Sequence, residues 1–201
     1  MQAVRNTGVA RPVARMPCAQ WLMRGFVLVG GWPASGKSTL ARALADDLGI
    51  PLLSKDAVKE SLMDVLGAPE TVDASQRLGR AAVAATLRAA QGCPTAVIDS
   101  TWFPSSLPLV RALRGPFVEI RCVVPVDVAR ERYRRRVRDG RHLDHLRSED
   151  ELWGREVLPL GVGPLIEVDT SRPVDPRALV GEVRAGLHRE PERGVSPGAP
   201  P

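Results

Sequence analysis

The chain has 201 residues, 44% of them hydrophobic, and a formal charge of +5. That length suits one domain with a substantial core, and no apolar run approaches the roughly 18–20 residues of a membrane-spanning helix. Cys18, Cys93 and Cys122 are three widely spaced thiols, which make neither a disulfide framework nor a metal-ligand set, so a reducing, cytoplasmic setting is expected.

In chain order, residues 1–24 carry Arg5, Arg11, Arg15 and Arg24 and no acid. They read as a disordered arm or a start assigned too early, with Met16 or Met23 as candidate starts. A transit segment is the alternative. Phe26–Val29 reads as a short buried strand. The loop Gly31-Trp32-Pro33-Ala34-Ser35-Gly36-Lys37-Ser38 fits G-x-x-x-x-G-K-[ST]. Leu40, Leu44 and Leu48 then form the stripe of an amphipathic helix that Gly49 ends. Strand, glycine-framed loop and helix in that order are the context of a phosphate-binding P-loop. Gly31 and Gly36 permit backbone angles that let the N–H groups turn inward. Together with the positive end of the helix, where Thr39 lies, they can cradle phosphates. Lys37 can reach the β/γ-phosphates of ATP, and the Ser38 hydroxyl can ligate Mg²⁺.

Ile50–Ser54 is a second strand. Lys55-Asp56 opens a helix to about Leu66, closed by Gly67. Asp73 with Gln76 resembles a capping box for a long helix to about Gln91. Thr95–Ile98 is a third strand ending at Asp99, followed by a loop with Trp102 and Phe103. Ser105 caps a helix to about Arg114. Phe117–Val124 is the fourth strand, and Asp127 is the N-cap candidate for a very basic helix to Asp139. Arg141-His142-Leu143-Asp144-His145 reads as a polar, mobile loop; exposed and idle is the default for both histidines, and shaping a lid or touching substrate is the alternative. Ser148 with Glu151 makes a second capping-box pair. Leu165–Val168 is the fifth strand, and Asp175-Pro176 starts the last helix, to about His188. From Glu190 the Pro/Gly-rich tail reads as disordered, which leaves a folded domain of about residues 25–189.

Alternating strands and helices predict an α/β fold: a five-stranded parallel sheet with helices on both faces, a three-layer sandwich. The loops after the strands should line one edge, so the P-loop, Asp56, Asp99 and Trp102 should converge on one cleft. Asp56 lies 19 positions beyond Lys37. A carboxylate there can orient an acceptor hydroxyl and take its proton, or it can simply cap the helix. Asp99 ends an apolar strand in a Walker-B-like pattern and can hold the Mg²⁺ shell or touch the acceptor. Trp102 can wall the acceptor pocket or belong to the core. From Arg130 to Arg147 there are eight arginines against three acids in eighteen residues, a concentration of charge that a bound anion would explain.

The stretch GGWPASGKSTLARALADDLGIPLLSKDAVKESL resembles the start of small P-loop kinases grouped with phage polynucleotide kinase, chloramphenicol phosphotransferase and zeta toxins. The resemblance covers roughly residues 25–175. It implies that Asp56 is the base toward the acceptor and that Lys59, one turn on, contacts the acceptor as a point charge; a solvated surface lysine is the plainer alternative. It also implies that the Arg-rich stretch, about residues 130–150, is a lid. Arg132 and Arg136 meet the group's R-x-x-x-R spacing and would close on ATP, while Arg130, Arg134 and Arg135 are expected to be solvated or paired.

The expected activity is therefore ATP-dependent transfer of phosphate to a hydroxyl of a small molecule such as an antibiotic, sugar, nucleoside or nucleotide-sugar. A polynucleotide 5′-hydroxyl is the first alternative. It fits the basic charge, but no basic, aromatic-studded groove is visible outside the lid, so nucleic acid is not the expected partner. A regulatory nucleotide switch is the second alternative. It lacks a guanine-reading N-K-x-D stretch, and a lid that excludes water favours transfer over hydrolysis.

Overall fold

Alternation along the first strand sets the architecture. In β1 (Gly25–Gly31) Val27 and Val29 face one side of the sheet, Phe26 and Leu28 the other, and every residue is buried. A strand that is apolar on both faces needs helices on both. One face is covered by α1 (Lys37–Leu48) and α7 (Pro176–His188), whose Leu40, Leu44, Val183 and Leu187 share a core with Val27 and Val29. The other is covered by α3 (Val72–Ala90) and α4 (Leu107–Arg111), whose Leu87 and Val110 pack with Phe26, Leu28 and Trp102. Burial of each such Leu or Val contributes about 1.5–3 kcal/mol. This computed structural model describes residues 23–136 and 139–188. The expected disordered arm, except for its last residues, and the expected tail lie outside the described residues.

The remaining strands are β2 (Leu52–Ser54), β3 (Thr95–Asp99), β4 (Phe117–Val123) and β5 (Leu165–Asp169). All pairings are parallel, in the order β2-β3-β1-β4-β5. Register then positions the chemistry. Asp99 is the Cα partner of both Val29 and Ser54, so the loops leaving β1, β2 and β3 emerge side by side on one edge. Glu119 of β4 is buried, and its carboxylate accepts from Leu160 N at 2.5 Å and Val162 N at 2.7 Å, which pins the loop before β5.

Several local expectations change. The helix α2 (Lys55–Leu66) begins and ends as its sequence suggests. For α3, however, the cap is Thr71, whose hydroxyl accepts from Ala74 N. Asp73 instead pairs with Arg77 one turn on. Between β3 and β4 the expected helix is a 3-10 turn at Pro104–Ser106 followed by α4, which stops at Arg111. The basic helix α5 (Val126–Arg135) starts after Pro125 rather than on an Asp127 cap. It ends four residues before Asp139, where Arg136 turns to an extended ψ of 136°. The Ser148–Glu151 capping box forms at the start of α6 (Glu149–Trp153). Asp175 accepts from Arg177 N at 3.0 Å ahead of α7. No helix among the described residues is long and apolar enough to cross a membrane.

Candidate active site

The P-loop is shaped by two glycines at positive φ, where a side chain would be strained. At Gly31, φ is +143°, and a Cβ would lie 2.6 Å from Ser35 Oγ and 2.7 Å from the Cys122 carbonyl oxygen. Gly36 caps α1 at φ +86°. Between them Ala34 also adopts a left-handed φ of 58°, and Ser35 N donates to Trp32 O at 3.1 Å. Left-handed residues on either side of Ser35 curl the backbone into a concave shape suited to an anion. The first turn of α1, with Lys37, Ser38 and Thr39, carries no acid, so its N–H groups and dipole face the loop unopposed. Thr170, just past β5, supports the loop from below, with its hydroxyl donating to Ser35 O at 2.6 Å.

Asp99 stands beside the loop and is only 3% exposed. Burial pushes its carboxyl above the usual carboxylate range, while the Lys37 ammonium and the Ser38 hydroxyl pull it back; Asp56 pushes up again, and Lys55 pulls down. One strand end thus gathers Lys37, Ser38, Lys55, Asp56 and Asp99. Asp99 Oδ1 is buried and has no hydrogen-bond partner among the described residues. A hard cation held by this carboxylate and the Ser38 hydroxyl would satisfy it, so the residues present fit Mg²⁺. Elsewhere among the described residues, no group of three or more His, Cys, Asp or Glu could hold a metal.

Past β2, Asp56 lies in the first turn of α2 and pairs with Lys55 Nζ at 2.8 Å. Lys59 is not a surface lysine. It is 2% exposed, and its Nζ donates to Ser75 Oγ at 2.7 Å. Trp102 is a core residue under the site edge, with Nε1 donating to Val29 O at 3.1 Å. Its ring lies against Gly30, where a Cβ would come within 2.7 Å.

The two arginines expected in a lid reach different places. Arg132 donates to the carbonyls of Thr170 (2.8 Å) and Ser171 (3.1 Å), beside the P-loop. Arg136 pairs with Asp144 at 2.8 Å and covers the Tyr133 ring at 4.2 Å. Arg130 pairs with Glu149, while Arg134 and Arg135 both pair with Glu131, as expected of a solvated charged face. Pro33 and Trp32 complete the loop. The Trp32 indole meets the Trp153 indole edge-on at 5.9 Å, and Tyr133 meets the same ring at 5.7 Å. His145 is exposed, but His142 is 1% exposed, which overturns the expectation of an exposed loop residue. Sequence reasoning singled out neither Thr170 nor Lys55, although each stands directly after a strand; the burial of His142 carries no local signal.

A parallel sheet in this order, with a P-loop after its central strand, a carboxylate at the end of β3 and another just past β2, defines a P-loop protein with a kinase-like fold. The sequence profile of the AAA domain family, AAA_33, matches residues 26–152, and the chain belongs to that family. A protein from Chloroflexus aurantiacus, named as a candidate kinase, is 32% identical with a TM-score of 0.71, over 83% of this chain and 100% of that one. A gluconokinase from Sinorhizobium meliloti is 22% identical with a TM-score of 0.53, over 82% and 92%. Chaetomium thermophilum Kti12, in complex with ADP-AlF3, is 22% identical with a TM-score of 0.57, over 82% and 100%. These last two share the fold. The uncharacterized protein Rv2004c of Mycobacterium tuberculosis is 36% identical over 123 residues, covering 53% of this chain. The chain spans 24% of the length of that relative.

Proposed function

We propose that the protein is an ATP-dependent kinase that transfers the γ-phosphoryl group to a hydroxyl of a small molecule. The observation that carries this reading is the convergence of Asp56 and Asp99 with Lys37 and Ser38 at one sheet edge, through the shared register of Val29, Ser54 and Asp99. A nucleotide-hydrolysing switch needs the P-loop and the carboxylate near Ser38; it does not need a second carboxylate on the acceptor side. In this reading the P-loop N–H groups and Lys37 hold the β- and γ-phosphates. Ser38 and Asp99 would hold Mg²⁺, which would supply positive charge against the phosphate oxygens. Asp56 accepts a hydrogen bond from the acceptor hydroxyl, aligns it in line with the γ-phosphorus, and takes its proton as the new P–O bond forms and the bond from the γ-phosphorus to the bridging oxygen breaks, releasing ADP. Arg132 and Arg136 stabilise charge on the transferring group.

The test is a phosphate-transfer screen over sugars, nucleosides, nucleotide-sugars, aminoglycoside-type alcohols and 5′-hydroxyl oligonucleotides, with wild type and Asp56→Asn. Transfer to one small alcohol, lost about 10²–10⁴-fold in the variant with ATP affinity kept, is the expected result. Transfer to the oligonucleotide alone overturns the small-molecule assignment. Binding of ATP with no transfer to any acceptor, and hydrolysis indifferent to Asp56→Asn, overturns the kinase reading.

A further inference from the structure

The segment after α5 is fastened to the acceptor-side hairpin of α2 and α3 by side chains far apart in sequence. Arg141 Nη1 lies 2.7 Å from Asp64 Oδ1. His142 Nε2 lies 2.9 Å from Glu60 Oε1. Ser75 Oγ donates to the His142 carbonyl at 3.3 Å, and Gln76 Nε2 donates to Glu151 Oε1 at 3.0 Å. The outer contacts are exposed, whereas His142, Ser75 and Lys59 are all buried. Direction runs through the buried part. Lys59 has only protons to give, so Ser75 Oγ accepts from it, and the single Ser75 proton goes to the His142 carbonyl. On the other side of His142 a carboxylate can only accept, so Nε2 carries the proton that meets Glu60.

This geometry concerns α2 directly. Asp56, Lys59 and Glu60 stand at i, i+3 and i+4, one turn of one helix face. Glu60 is held from the ring of His142, and Lys59 through Ser75 from its backbone. Both therefore meet one inserted residue. Lys59, Ser75 and His142 are buried while the Glu60 carboxylate reaches the surface, so slippage of the buried three would leave a polar group without a partner. Leu143 follows at a left-handed φ of 56°, the turn that carries the chain on from the inserted histidine.

We infer that His142 is a positioning residue for the acceptor. By gripping Glu60 and, through Ser75, Lys59, it fixes the first turns of α2 and with them the direction of Asp56. The inference rests on the reading of Asp56 as the acceptor base.

The test measures amide hydrogen exchange in the full-length protein, without and with ADP and Mg²⁺, for wild type, His142→Ala, His142→Gln and His145→Ala. His142→Ala should raise exchange about tenfold in residues 139–147 and, in step, in residues 55–62 and 72–78, with α1 unchanged. His142→Gln, which can still donate to Glu60, should recover most of the protection in α2. His145→Ala should match wild type, and ADP affinity should stay within about twofold in every variant, because the P-loop is untouched. Exchange that rises only in residues 139–147 overturns the inference, and so does an equal rise across α1 and the sheet. If His142→Ala does not fold, Glu60→Ala, which removes the acceptor for His142 Nε2, takes its place. It should raise the same three segments about threefold, and no change overturns the inference. Asp56→Asn separates the two readings. If transfer survives that change, the base assignment fails whatever His142 does to exchange. If transfer is lost while α2 protection is indifferent to His142, the base stands and the positioning role falls.

Discussion

The two sides of the site are built by different means. The phosphate side is made of backbone: Gly31, Ala34 and Gly36 set the curl, and the start of α1 supplies N–H groups. The acceptor side is made of side chains reaching between separate elements, with Lys59, Ser75, His142 and Glu60 meeting across as many as 82 positions of sequence. A backbone device is specified locally and tolerates little substitution at its few fixed points. A side-chain network is specified only by the finished fold, and it can change partners without changing the fold. On the proposed function, the first side would take a nucleotide tail common to many proteins, the second an acceptor particular to one.

The comparison can be broken at several points, from the largest expected effect downward. Gly31→Ala puts a methyl group into the Ser35 hydroxyl and the Cys122 carbonyl. It should reduce ADP·Mg²⁺ affinity about 100-fold by calorimetry and leave α2 protection as it was; an affinity within threefold of wild type would show that the loop is not backbone-limited. Asp99→Asn should separate binding from stability. Burial raises the Asp99 carboxyl, so the folded chain holds that proton more tightly than the unfolded one. The ionised group therefore lowers stability as pH rises from the ordinary carboxylate range through the raised value. Without Mg²⁺ the variant should melt about 2–4 °C higher near neutral pH, the size expected of roughly 1 kcal/mol in a domain of this length. It should bind ATP·Mg²⁺ about tenfold more weakly; a lower melting point would mean that the carboxylate is satisfied within the protein.

Smaller effects come from the rim. Arg134→Gln removes one side of an exposed pair with Glu131 and should shift stability by less than about 0.5 kcal/mol, with nucleotide affinity unchanged. A tenfold loss of affinity would instead make Arg134 a phosphate ligand. Finally, burial pushes the Cys122 thiol up to about 12, so iodoacetamide at about pH 8 should leave it unmodified while the more exposed Cys93 reacts. Alkylation of Cys122 in the native protein would show that the floor of the P-loop opens.

How legible each side was follows from the same difference. G-x-x-x-x-G-K-S names its own geometry, and apolar runs bounded by Gly and Pro mark all five strands. Asp56 and Asp99 were found because a position just after a strand is a statement about the sheet edge. The burial of His142 was not legible, because R-H-L-D-H has the composition of a wet loop. Its burial depends on Ser75 and Glu60, 67 and 82 positions earlier. The overlong basic helix has a related cause. Arg136 bonds Asp144, while Asp139 accepts from both the backbone and the guanidinium of Arg141, and such pairings compete with helix continuation in a way that periodicity does not register. The capping pattern at Asp73 went to Thr71 because an i, i+4 partner, Arg77, occupied the carboxylate.

The edge-on pair of Trp32 and Trp153 gives the molecule an optical gauge of its own. One indole rides on the phosphate-binding turn and the other on α6, nearly perpendicular at 86°. Two coupled transitions at that spacing and angle contribute a signed pair of bands to the far-ultraviolet circular dichroism, with an amplitude that depends steeply on their separation. Trp102, locked to the Val29 carbonyl in the core, supplies a fixed background. Any nucleotide that shifts the turn against α6 by a fraction of an ångström therefore writes its arrival into the spectrum, with no label attached.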